Sequence, residues 1–134
     1  MKHFLSIILF ALSLVVFAGC GNQGGNADHL VERPIGHGPL SVATTRNDMN
    51  EKFSLTMHVV VHQREQRAFE RQYERHGQRV IERIETIMLA ATLEERMEVG
   101  YTTIKERSRQ AINEILGTPW VQEVLISGVT IETN

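Results

Sequence analysis

Between Lys52 and His62 apolar and polar residues alternate. Phe53, Leu55, Met57, Val59 and Val61 fall on one side; Ser54, Thr56, His58 and His62 fall on the other, with Val60 as the exception. Side chains of an extended chain point alternately to its two faces, so this pattern predicts a half-buried antiparallel strand. From Arg64 the period changes. Val80, Ile81, Ile84, Ile87, Met88 and Ala91 recur at the spacing of one helix face. A two-residue period giving way to a helical one requires a domain with both a sheet and helices.

The remaining elements follow from local signals. Leu40 to Arg46 carries Val42, Thr44 and Thr45 and reads as a first strand. Asn47 to Asn50 reads as the turn that makes a hairpin with the strong strand. The helix should begin between Gln63 and Gln66 and end near Ala91, with Gly77 marking a kink or break inside it. Thr92 followed by Glu95 has the form of a capping box. It predicts one second helix running to Leu116, with an apolar stripe of Leu93, Met97, Tyr101, Ile104, Ala111, Ile112 and Ile115. Gly117-Thr118-Pro119 stops that helix. Trp120 to Thr133 reads as a closing strand with a bulge at Gly128, and Trp120 as a core plug or a partner anchor. The fold class expected is α+β, a small antiparallel sheet packed with two long helices.

The first twenty residues read as an export signal. Fourteen of the first nineteen are apolar, Lys2 supplies a positive start, and Ala18-Gly19 precede the single Cys of the chain, Cys20. The run is short for a membrane span. Cut and lipidated at Cys20, it leaves a lipid anchor; uncut, it is a signal anchor. Residues 20–39, with Gly21, Gly24, Gly25, Gly36 and Gly38, read as a flexible tether. An 18-residue tether, Gly21 to Gly38, reaches about 23 Å on average and at most about 60 Å. Residues 40–134 form the expected domain. A 134-residue chain of net charge −2 with one thiol excludes a disulfide framework and a Cys-based zinc site, and gives no basic bias towards nucleic acid.

Arg67, Arg71, Arg75, Arg79 and Arg83 recur every four residues and form a ridge on the first helix. Glu70, Glu74 and Glu82 each lie three residues beyond an Arg. The ridge is either a contact for an anionic partner or lipid, or a solvated face laced with its own ion pairs. His58 and His62 would stand about 13 Å apart on one strand face, too far to share a metal. No metalloprotease, phosphate-loop, nucleophile-elbow or calcium-loop motif occurs, so no catalytic residue and no cofactor is expected.

The chain from Arg79 to Ile131 resembles the C-terminal domain of the FliL family, the flagellar basal body-associated proteins. The resemblance is carried by several stretches. They are Phe53-Ser54-Leu55-Thr56-Met57, Val80 to Met88, and Gly100 ahead of Ile104-Lys105. Ile112-Asn113, Leu116 and the closing run Val124 to Glu132 complete it. It extends over roughly residues 40–134. Gly128, Val129 and Glu132 stand where the family has Asp, Phe and Gln, and a signal with Cys20 replaces its transmembrane helix. The resemblance implies a stomatin-like (SPFH) periplasmic domain without enzymatic activity. It would assemble as a homo-oligomer beside flagellar stator or basal-body proteins and support motility. Gly21 after Cys20 leaves the inner and outer membranes both open.

Overall fold

The computed structural model describes residues 29–134. It is an α+β domain: a three-stranded antiparallel sheet in the order β1-β2-β3, with helices on one face. The strands are β1 (Leu30–Arg46), β2 (Met49–His62) and β3 (Val121–Thr133). Between β2 and β3 lie α1 (Gln66–Ala90), a short α2 (Leu93–Met97) and α3 (Thr102–Leu116).

The central strand is the one with strict alternation. Phe53, Leu55, Met57, Val59 and Val61 are fully buried. Phe69, Val80, Ile84 and Met88 of α1 and Ile104 and Ile112 of α3 join them in one core. Burying each such side chain contributes about 1.5–3 kcal/mol. The opposite face of the sheet carries Ser54, Thr56, His58 and His62, as expected, and no helix of the described residues packs on it. There Ser41 and Ser54 share a 2.7 Å hydrogen bond across β1 and β2. The hairpin turn is tighter than the four residues expected. Arg46 pairs with Met49, and Asn47 and Asp48 both have positive φ, the geometry of a two-residue hairpin turn.

Three expectations are corrected. The tether does not extend to Pro39, because Leu30 to Ile35 pair with His62 to Met57 as part of β1. Gly36 and Gly38 belong to a bulge: Gly36 to Pro39 stand opposite the single residue Thr56. Gly36 has φ +78°, a conformation that costs glycine little. Its N–H donates to Tyr73 Oη at 2.9 Å, which fixes the bulge against α1. Second, α1 runs through Gly77 without a break. Third, the second helix is divided. The capping box at Thr92 and Glu95 forms as expected, but it starts only five helical residues. Glu98 is extended, and Gly100 and Tyr101 have positive φ, so α3 starts afresh at Thr102. The break turns Leu93 and Met97 out of the predicted stripe; Met97 is 69% exposed. Arg96 points inward in their place.

The C-terminal signals hold. Gly117 ends α3 in the left-handed conformation. Trp120 packs partly buried against the core. The register of β3 slips at Gly128, with Ser54 opposite Thr130 and Thr56 opposite Ser127, which is the expected bulge. The Asn113 side chain binds α3 to β3, donating to Val121 O at 3.1 Å and accepting from Val121 N at 2.9 Å.

Candidate interaction surface

The five arginines of the ridge are all exposed. The ion pairs their spacing suggests do not form. Glu70 is drawn sideways to Arg33 of β1, 2.9 Å from its Nε, and also accepts from Gln66 Nε2. Glu82 accepts from Gln78 Nε2 at 3.2 Å. Among the described residues, none of Arg67, Arg71, Arg75, Arg79 and Arg83 lies in an ion pair. The reading of a face laced with its own ion pairs is thereby corrected. A carboxylate on a helix flank is pulled to whichever cation the tertiary fold brings nearer.

The ridge is not one uniform surface. A step of four residues advances about 40° round the helix, so five arginines span about 160°. Arg67, Arg71 and Arg75 point away from the sheet. Arg79 and Arg83 reach a groove of about 320 Å³ between α1 and α3, where Glu82 and Glu114 supply opposite charge. Glu74, exposed and three residues after Arg71, is the carboxylate left beside the first half of the ridge.

The structure holds a charge cluster that the sequence pattern did not indicate. Arg96 is 1% exposed. Its Nη1 donates to Glu51 Oε1 of β2, its Nη2 donates to Met88 O at 3.2 Å, and its Cζ lies 4.9 Å from the centre of the Phe53 ring. Burial pushes the guanidinium below its usual pKa, and the charge of Arg46 pushes the same way. The ion pair and the cation–π contact keep it charged in the interior. Nothing in the spacing of Glu51 and Arg96, 45 residues apart, announces this contact. Its role is to tie α2 to the start of the central strand.

The other candidates stay separate. His58 and His62 are half-buried on the uncovered sheet face. Among the described residues no group of three or more His, Cys, Asp or Glu side chains could hold a metal. No helix of the described residues is long and apolar enough to cross a membrane. Leu89, Leu93, Met97 and Val99 are exposed around the junction of α1, α2 and α3, and Val99 is 96% exposed. On α3, Glu106 accepts from Arg109 and Gln110, which hold its pKa down at about 2. Cys20 lies outside the described residues. No protein-family model and no curated protein matches this chain.

Proposed function

We propose that this chain is a non-enzymatic, FliL-like protein of the bacterial cell envelope. Held to the membrane by a lipid on Cys20, it supports the flagellar stator and motility through protein contacts. The observation that carries the reading is the order of elements. A strand pair, a long helix, a second helical segment and a closing strand follow in the order the resemblance requires. The long alternating strand is at the centre of the core. Among the described residues the surface offers a row of exposed arginines along α1, which suits a protein that works by contact. Deletion of the gene tests the proposal. Reduced swimming and reduced motor torque, with co-purification of stator components, are expected; normal swimming and torque overturn it.

A second reading keeps the lipid-anchored domain and gives it an unrelated binding task in the envelope. The closing strand favours it. Gly128 sits in a left-handed bulge, φ +57°, at the position where the family has Asp. The position of the gene relative to flagellar genes separates the two readings.

A further inference from the structure

The basic half of α1 begins at the end of the domain where the chain arrives from its N-terminal segment. The His29 carbonyl accepts from the Gln63 N–H at 2.7 Å, and Leu30 pairs with His62. Arg67 follows four residues after Gln63. From there α1 runs back along the sheet: Glu70 meets Arg33, Tyr73 meets Gly36, and past its far end Arg96 meets Glu51. Arg67, Arg71 and Arg75 therefore occupy the half of the helix nearer the tether.

On the helical period these three residues share an arc of about 80°. The opposite arc holds Phe69, Val80 and Ile84, which are buried against the sheet. The three guanidiniums thus point straight out, exposed and without ion pairs. Gln78 shares their arc and Glu74 borders it. Farther along the same outer face come Glu82 and Glu85, so its charge passes from basic to acidic along the helix. With Arg79 and Arg83 turned towards the groove, a flat anionic surface would attract the first half more strongly than the second.

We infer that the outer face of the first half of α1 docks on anionic lipid headgroups, with Arg67, Arg71 and Arg75 as the phosphate contacts. The inference rests on the proposed membrane attachment and not on the flagellar role. The nine residue steps from Cys20 to His29 span at most about 30 Å, so the tethered end of the domain stays near the bilayer. A polybasic patch is the usual second signal beside a lipid anchor. Each Arg close to an anionic surface shifts the docked-to-free ratio about fivefold, and three shift it roughly a hundredfold. Docking lays α1 along the membrane with its N-terminal end lower, and turns the uncovered sheet face away from the bilayer.

The test uses the full chain reconstituted into vesicles, with an environment-sensitive fluorophore at position 78 of a Gln78→Cys variant. A chain labelled without that exchange subtracts any signal from Cys20. The expected result is a blue shift on phosphatidylcholine–phosphatidylglycerol vesicles and none on phosphatidylcholine alone. The shift should vanish in molar salt, where screening acts within about 3 Å. Combined Arg67→Gln, Arg71→Gln and Arg75→Gln exchange should lower the docked-to-free ratio roughly a hundredfold. The three Lys exchanges, which keep the charge, and Arg109→Gln on α3 should retain docking. Circular dichroism of the triple Gln variant should be unchanged. Equal signals on the two vesicle types, or a triple Gln variant that docks like the parent, overturns the inference. A blue shift obtained only when an acidic protein is added to neutral vesicles also overturns it, by assigning the face to a protein partner. No stator is present in the test, so its failure leaves the motility proposal standing, and the reverse holds too.

Discussion

At the residue scale, the buried pair of Arg96 and Glu51 is the most consequential single contact. Removing one partner of a buried ion pair leaves an uncompensated charge and costs about 3–5 kcal/mol. Glu51→Gln should therefore lower the unfolding free energy measured in urea by that amount. The double exchange Glu51→Leu with Arg96→Met should recover most of the loss, because two apolar side chains need no compensation. Glu106 shows the surface counterpart. Arg109 and Gln110 hold its carboxyl at about 2, against an ordinary 4.5. A carboxyl whose folded pKa is depressed contributes stability that is complete above its unfolded pKa and is lost as pH falls through the folded one. For Glu106 that window runs from about 4.5 down to about 2. Its exposure keeps the contribution small. Arg109→Gln should move the Glu106 midpoint in an NMR titration up towards the ordinary value.

At the element scale, glycine has different effects in helix and bulge. Gly77 invited a prediction of a kink because glycine weakens a helix interior, by about 1 kcal/mol relative to Ala. The helix passes through it because the buried residues on either side, Phe69, Val80 and Ile84, hold α1 to the sheet. A Cβ added at Gly77 would lie 3.4 Å from the Tyr73 ring, an ordinary contact. Gly77→Ala should thus stabilise the protein by roughly 0.5–1 kcal/mol in thermal or urea unfolding. Gly77→Leu should do the opposite, by displacing Tyr73 from its bond to Gly36. The division of the second helix was less legible. The capping box and the spacing of Leu93, Met97 and Ile104 are both helix signals, but only the capping box is satisfied; Leu93 and Met97 end up exposed. What breaks the helix is a turn through Gly100 and Tyr101 that lets Arg96 reach Glu51 across the fold.

At the scale of the whole molecule, the domain starts about ten residues earlier than the composition suggests. Gly36, Gly38, Pro34 and Pro39 look like tether, yet Ile35 among them is 1% exposed in the core. A chain beginning at His29 should unfold at the same urea midpoint as the full chain. One beginning at Leu40 loses Ile35 and the pairing of Leu30 to Ile35, and should lose about 3 kcal/mol or more. The same extension of β1 leaves fewer residues between the domain and Cys20, and so sets the basic half of α1 close to the membrane attachment proposed there.

The sequence by itself determined the elements whose signals are local. The alternation of Phe53 to Val61, the helical period from Val80 to Ala91, the Thr92 capping box, the stop at Gly117 and the bulge at Gly128 all depend on near neighbours in the chain. Apart from the local pair of Glu106 and Arg109, three residues apart on α3, tertiary structure decided which charges meet. Glu70 left the arginine ridge for Arg33, and Arg96 went inward to Glu51, because a long charged side chain is governed by the nearest opposite charge in space. Sequence spacing carries no record of that distance. The exposed ridge of Arg67, Arg71 and Arg75 is the product of both: a four-residue period written in the chain, and a counter-charge, Glu70, that the fold drew away to Arg33.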